Sequence, residues 1–412
     1  MLKLLLIAIL IALIPQASAK NWTVATSKEL IKNLKQASTG DSIYVKPGEY
    51  VVSGIIIDKA IKLIGQNHPR LTTNGMHEIM TICSNNVTIN GFSLNNCGIS
   101  STEDRAGVKV INSNNVIIEN NYIFNNLFGI YLSNCHNCTV KNNLIIGQAV
   151  SEGNSGNGIH LWHCKSIEIV NNNISKHRDG IYFEFVSNSI ISNNESHNNL
   201  RYGLHFMFSN QDTYSHNSFW QNGAGVAVMY SSNVTMEHNT FTQNIGSSAY
   251  GLLLKEISGS KIVDNIIKNN TVGIQCDGTA NLSVNENDIW ENGIGVRLSS
   301  YSENTKFSLN NFVGNTYDVS SMCVLHNCKT FARNYFANNL GFDLNHDCIA
   351  DLPFQPVKIS CIIIDNNPAI AILLNSPLLA LIDLIQLMVP SLAPTELIDT
   401  TPLMKAKIWQ RQ

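Results

Sequence analysis

Short runs of alternating apolar and polar residues fill the middle of the chain, and each run opens on a glycine. The glycines are Gly107, Gly129, Gly158, Gly180, Gly203, Gly225, Gly251, Gly273 and Gly295, spaced 22, 29, 22, 23, 22, 26, 22 and 22 residues apart. One and three residues past the glycine the side chain is apolar almost throughout, as in Ile130 and Leu132, Ile181 and Phe183, Leu204 and Phe206, and Val226 and Val228. Two and four residues past it the type varies. A period of two predicts a strand with one face in and one face out. A second short strand precedes each glycine, as at 115–119 and 281–285, with no helix-length period between them. A fixed repeat of this size implies stacked supersecondary units, one coil per repeat. The pattern therefore predicts an all-β, right-handed, single-stranded parallel β-helix.

Asparagine supports the register. Asn121, Asn172, Asn217, Asn265 and Asn287 lie eight residues before a repeat glycine, and Asn194, Asn239 and Asn143 lie nine, twelve and fifteen before one. A second set, Asn126, Asn222, Asn270 and Asn292, lies three before. Stacked carboxamides can bond to one another and to turn backbone, and asparagine tolerates the left-handed conformation of tight corners. These asparagines read as structural.

The ends differ from the middle. Residues 1–19 carry Lys3, an apolar run from Leu4 to Ile14 and a small-residue site at Ala17, Ser18 and Ala19, the pattern of a cleaved secretory signal. Residues 26–37 read as a capped helix that covers the first coil, leaving 20–340 as the β-helix with its N-terminal cap. Past 340 the repeat stops, and 341–412 reads as a partly helical C-terminal cap or tail. The apolar stretch 368–389 is long enough to cross a membrane, but Asn375, Pro377, Asp383 and Gln386 interrupt it, which favours two short helices. Only 14% of residues are charged and the net charge is −3, with no basic stripe, so nucleic acid is excluded as a partner.

The repeat is also a ruler, because residues at equal offset from successive glycines should stack. Offset +2 runs Lys109, Tyr131, His160, Tyr182, His205, Ala227, Leu253, Gln275, Arg297. Offset +4 runs Ile111, Ser133, Trp162, Glu184, Met207, Met229, Lys255, Asp277, Ser299. The middle of this outward face gathers His160, Trp162, Tyr182, Glu184, His205, Met207 and Met229. Thioether and imidazole are donors that suit copper(I), and a nearby carboxylate can orient a histidine. An apolar face covered by a tail or partner, or aromatic stacking on sugar, would use similar residues. The two long intervals insert 150–157 and residues near 245–248 at one corner of the coil, bracketing these rungs; loops framing a patch are expected to gate it.

Ten cysteines are many for an exported chain. Cys135 and Cys164 share offset +6 on adjacent coils, a separation that suits a disulfide; Cys323 with Cys328 and Cys348 with Cys361 are further pairs, and spacing leaves connectivity open. Cys135 and Cys138 form a C-x-x-C motif and His326 lies between Cys323 and Cys328; both read as structural. Asp343, Asn345, Asp347 and Asp351 have the spacing of a calcium loop, although Cys348 replaces the turn glycine, and a polar turn competes with that reading.

Several segments resemble the NosD family: 156–162 (GNGIHLW), 178–185 (RDGIYFEF), 200–210 (LRYGLHFMFSN), 223–231 (GAGVAVMYS) and 248–254 (SAYGLLL), with 374–378 and 401–404 in the tail. The resemblance spans nearly the whole mature chain. It implies a periplasmic accessory protein, not an enzyme, that handles copper, or sulfur, for the copper–sulfide centre of nitrous oxide reductase. The implied partners are the ATPase and membrane subunits of an ABC transporter, nitrous oxide reductase itself and a copper chaperone, with the membrane reached through these partners. On that reading the ligands are His205, Met207 and Met229, joined by His160 and then Glu184 or Tyr182. The alternative is a uronate lyase, hydrolase or epimerase, which needs paired acids and bases in a groove; Asp179 with Glu184, or Lys255 with Glu256, are the nearby candidates.

Overall fold

The structure, a computed structural model, describes residues 19–408 except 74, 101, 300, 322–328, 375, 390–391 and 393–396. The expected signal segment, Cys323, His326 and Cys328 lie outside the described residues. Among the described residues the strands form three parallel sheets, of 14, 13 and 12 strands, and each coil contributes one strand to each in turn. The expected parallel β-helix is what the chain forms.

The glycine repeat has a steric cause. A Cβ on Gly203 would lie 2.6 Å from the carbonyl oxygen of Gly225 on the next coil and 2.8 Å from the Phe219 ring. Backbone cannot yield to such a contact, so this position stays bare at the start of the glycine-led strands, which form the third, 12-stranded sheet. Inside, the apolar residues at offsets +1 and +3 stack rung on rung, as Phe183 does on Phe206, and the second sheet adds rings such as Phe219 and Phe241, all fully buried. Apolar burial along this continuous column is the main favourable term in folding.

Asparagine pairs turn the corner between the first and second sheets. Asn120, Asn142, Asn171 and Asn193 adopt φ of 56, 56, 56 and 55°, the left-handed region that asparagine tolerates. The residue after each, Asn121, Asn143, Asn172 and Asn194, points inward. Its Oδ1 accepts from the backbone N–H and Nδ2 of the asparagine one coil earlier, at 2.9–3.0 Å for Asn143, Asn172 and Asn194. The ladder continues through Asn217, Asn239, Asn265, Asn287, Asn310 and Asn334. It ends on Asp399, whose Oδ2 accepts from Asn334 N at 3.0 Å and Nδ2 at 2.9 Å. A second ladder at the next corner joins Asn199, Asn222, Asn244, Asn270, Asn292 and Asn315.

The N-terminal helix α1 (Ser27–Gln36) is the expected cap. Thr26 Oγ1 accepts from Glu29 N at 3.2 Å while Glu29 Oε2 accepts from Ala25 N at 2.8 Å, a reciprocal capping box. Leu30 and Leu34 pack onto the first coil. Thr26→Ala should cost about 1 kcal/mol. Urea unfolding measures it, and an unchanged midpoint would deny the cap any role.

At the other end α2 (Ile359–Asn366) and α3 (Pro377–Met388) form a short hairpin through a 3-10 turn. The polar residues that interrupt the apolar stretch tie it together. Asp383 accepts from Ser360 Oγ at 2.8 Å, and Gln386 bonds Ile359 N and Val357 O, each at 2.8 Å. Asp365 holds α2 to the solenoid through Arg297 at 3.2 Å and Ser320. No helix among the described residues is long and apolar enough to cross a membrane. Leu378, Leu381, Leu384, Leu387 and Met388 nonetheless face solvent.

Of the expected disulfides, the two that fall among the described residues, Cys135–Cys164 and Cys348–Cys361, do not form. Cys135, Cys138 and Cys164 are free and buried, and Cys135 and Cys164 turn their thiols to backbone carbonyls, Ser133 O at 3.3 Å and Trp162 O at 3.4 Å. Cys348 is exposed on its loop whereas Cys361 is buried on α2, and both are free. In the Asp343 loop the oxygens turn onto the loop's own amides. Asp343 accepts from Asp347 N and Cys348 N, Asn345 from Asp347 N, Asp347 from Ile349 N, and Asp351 from Leu344 N. It is a polar turn as the structure stands.

Candidate functional site

The ruler holds residue by residue. Lys109, Tyr131, His160, Tyr182, His205, Ala227, Leu253, Gln275 and Arg297 are register partners on successive strands of the third sheet. So are Ser133, Trp162, Glu184, Met207, Met229, Lys255 and Asp277. Rungs in such a stack are ~4.8 Å apart, and alternate residues on one strand ~7 Å apart. Tyr182, Glu184, His205, Met207 and Met229 therefore share one patch across three rungs, with His160 and Trp162 one rung earlier.

The patch is less open than an outward column implies. His205 is only 4% exposed, and Ala227 beside it is buried. Tyr182 and Tyr202 meet the His205 ring edge to face, with centroids 4.9 and 4.7 Å away. The small Ala227 side chain and the turn before Tyr202 let the neighbouring coils close over the imidazole. Met207 and Met229 are half-buried. His160 lies sandwiched between Tyr131 and Tyr182 at 4.7 and 4.9 Å, and its Nδ1 accepts from Asn157 Nδ2 at 2.9 Å. Burial, with Arg178 nearby, pushes His160 down to about 3, so it stays neutral. Burial and then the Glu184 charge push Tyr182 up to about 12; its hydroxyl reaches Glu184 Oε2 at 3.4 Å.

A buried charged group underlies the patch. Asp179 is fully buried, with Oδ2 3.6 Å from His205 Nδ1 and 3.7 Å from Arg178 Nε, and Oδ1 4.0 Å from Arg201 Nε. Neither carboxylate oxygen and neither His205 nitrogen has a hydrogen bond, and the same is true of Arg178 Nε, Asn157 Oδ1 and His177 Nε2. Buried polar atoms without partners are uncommon, and here they gather around one corner. Arg201 also lies over Tyr202, 4.7 Å from its ring centroid, and faces Glu152 at 3.7 Å. Glu152 belongs to the 150–157 insertion. Both insertions lie where the chain passes from the second sheet to the third, as their shared corner implied.

The opposite edge of the patch carries a ridge that the offset table did not read. His163, Phe185, Phe208 and Tyr230, all at offset +5, adopt φ of 50, 55, 52 and 52°. Asn112 and Asn134 fill this corner in earlier coils at 51 and 53°. Left-handed backbone costs an ordinary side chain roughly 1–2 kcal/mol. Ring stacking at 4.7, 5.2 and 5.2 Å offsets part of that. The rings use their faces on one another and turn edges outward, so they are no platform for sugar. The same ruler extended by one residue would have found them. Asp179 stood in the sequence beside its repeat glycine, but nothing there marked its position under His205.

Among the described residues no group of three or more His, Cys, Asp or Glu side chains is arranged to hold a metal ion. The donors that share this face are one imidazole and two thioethers. Of the acids and bases named for the enzyme alternative, Asp179 is sealed from solvent, and Lys255 and Glu256 sit at the far end of the ridge.

The protein is a right-handed parallel β-helix: residues 23–156 match the family model described as "Right handed beta helix region". Residues 146–323, which include the rungs that hold the patch, match the family model described as "Periplasmic copper-binding protein (NosD)". It is 26% identical over 401 residues, 93% of each chain, to the "Probable ABC transporter binding protein NosD" of Pseudomonas aeruginosa. Solved structures share the architecture. The catalytic unit of an α-1,3-glucanase from Streptomyces thermodiastaticus aligns with TM-score 0.61 at 13% identity, covering 79% of this chain and 70% of that one. The mannuronan C-5 epimerase A-module of Azotobacter vinelandii aligns with TM-score 0.51 at 15% identity, covering 76% and 95%. At such identity these likenesses concern the fold alone.

Proposed function

We propose that the protein carries copper as cargo on the third sheet, with His205, Met207 and Met229 as principal ligands and Glu184, Tyr182 and His160 around them. The observation that carries this reading is the register itself, which sets Met207 against Met229 and Tyr182 against His205 on adjacent rungs of one face. The fit is supported by His205 Nε2, buried without a partner. Two thioethers and a neutral imidazole are soft or borderline donors suited to copper(I), and their lack of charge leaves the ion weakly enough held to be passed on. The family description supports copper and a periplasmic setting, and the relative's name supports work beside an ABC transporter. The cargo's destination on this reading is the copper centre of nitrous oxide reductase, with a copper chaperone as donor. The inserted loop, reached by Arg201 through Glu152, gates the patch.

Anaerobic copper(I) titration against a competing chelator tests the site, with His205→Ala, Met207→Leu, Met229→Leu combined in one variant. Affinity should fall by at least about a hundredfold in the variant, given that outer partners alone are worth 10–100-fold. Equal binding in both proteins would move the ion elsewhere. No binding in either would refute the copper reading.

A further inference from the structure

We infer that Asp179 is a positioning residue that fixes the tautomer of His205, leaving Nε2 of that ring, and no nitrogen of His160, as the free imidazole donor of the patch. The inference rests on the copper reading for its purpose, but its geometry stands alone.

His205 Nδ1 faces the carboxylate of Asp179, with Oδ2 at 3.6 Å. The aromatic walls, Tyr182 and Tyr202, approach with edges and offer the ring nitrogens no hydrogen bond. A carboxylate accepts and has nothing to give. A proton on Nδ1 therefore points at an oxygen that lacks a donor. A proton on Nε2 would instead set the Nδ1 lone pair against that oxygen in a buried site, where such repulsion is poorly screened. The favourable form carries hydrogen on Nδ1 and a bare lone pair on Nε2, which has no acceptor or donor within the protein. The separation is longer than a hydrogen bond, and a shift of about 0.5 Å would close it to bonding range.

Arg178 and Arg201 complete the surroundings. Their guanidinium nitrogens stand 3.7 and 4.0 Å from the same carboxylate and supply positive charge beside it. His160 is arranged the other way. Its Nδ1 accepts from Asn157 Nδ2, so its proton sits on Nε2 and the neutral ring keeps no lone pair free. Two histidines one rung from a common tyrosine thus present opposite tautomers, and only one suits a metal. A carboxylate behind a metal-binding imidazole commonly serves this orienting role, and its loss costs about 10–100-fold in affinity.

The test is the ring-nitrogen spectrum of the metal-free protein labelled with 15N-histidine, with His205 assigned by loss of its signals in His205→Gln. Long-range proton–nitrogen correlations should report the Nδ1–H form for His205 and the Nε2–H form for His160. In Asp179→Asn the His205 pattern should switch to Nε2–H, as amide-for-carboxylate exchange behind an imidazole does elsewhere. Copper(I) affinity of that variant should fall about 10–100-fold while its backbone amide spectrum stays native. An Nε2–H form of His205 in the unaltered protein overturns the inference, and that measurement needs no variant to fold. An unchanged tautomer in a folded Asp179→Asn overturns it as well. If the unaltered protein binds no copper, the copper reading fails while the tautomer assignment is still decided by the spectrum.

Discussion

Asn217→Ala should destabilise the solenoid by on the order of 4 kcal/mol, although it removes only a small side chain. Asn217 Oδ1 accepts from Asn194 N at 2.9 Å and from Asn194 Nδ2 at 3.0 Å. Its Nδ2 donates to Ile191 O, Ser215 O and Asn239 Oδ1 at 2.9, 3.0 and 3.0 Å. Alanine leaves the Asn194 N–H buried without its acceptor, at about 1–3 kcal/mol, withdraws the added bonds to Ile191 O and Ser215 O at about 1 kcal/mol each, and opens a void besides. Asn217→Asp keeps the shape and the accepting oxygen but loses both donations and sets a carboxylate against carbonyl oxygens. It should rescue nothing. Urea unfolding and exchange of the Asn194 amide report the two effects together. A midpoint that hardly moves, with Asn194 still protected, would mean that the ladder is ornament on an adequate apolar core.

Asp212→Asn should have the opposite sign, with a gain that grows as the pH rises from about 4 to about 7. Asp212 lies inside the coil between Ser189 and Val234 on adjoining rungs. Oδ1 accepts from Ser189 N at 2.8 Å, and Oδ2 has no partner. Burial raises its pKa from 3.8 to about 7, a shift that the Ser189 bond only partly opposes. Below about pH 4 both folded and unfolded chains hold the proton and the group is neutral in the balance. Between about 4 and 7 the unfolded chain has released the proton while the folded chain keeps it, so stability falls by about 1.4 kcal/mol per pH unit. Above about 7 the penalty levels off. Asparagine retains the Ser189 bond without the charge. The variant should therefore match the natural protein near pH 4 and exceed it by roughly 4 kcal/mol at pH 8. Unfolding midpoints at the two pH values decide it; a difference that is the same at both would show that Asp212 does not titrate in this way.

The period made the architecture legible, because a repeated glycine with alternating neighbours leaves few other ways to bury the apolar face. It also made the columns legible to the residue, since in-register parallel pairing converts equal offset into contact. Burial within a column was not legible. His205 and Tyr182 occupy the same offset, yet His205 is covered because Tyr202 and Asp179 come from positions that the ruler did not rank. The cysteines illustrate the same limit: Cys135 and Cys164 do stack, but each inward thiol turns to the nearest backbone oxygen, and stacking alone makes no bond. In the Asp343 loop the spacing left a calcium loop and a polar turn both open, since it does not say which way the oxygens face; free amides inside the tight turn draw them inward. The aromatic ridge was legible and went unread, since rings in a left-handed corner run against the propensities used to interpret such positions.

The carboxamide ladder has a consequence for the order in which the chain becomes ordered. Its bonds run forward, each asparagine's amide hydrogens reaching the oxygen of the next, about 22–29 residues on. A chain emerging N-terminus first can therefore secure each coil as soon as the following one appears, without waiting for distant segments. Such short-range closure favours steady growth from the capped end. The last step differs in kind. Asn334 finds its acceptor in Asp399, 65 residues further along, beyond both helices of the hairpin. The growing end thus stays open until the tail returns, and the final fastening of the solenoid waits on the segment beyond the hairpin.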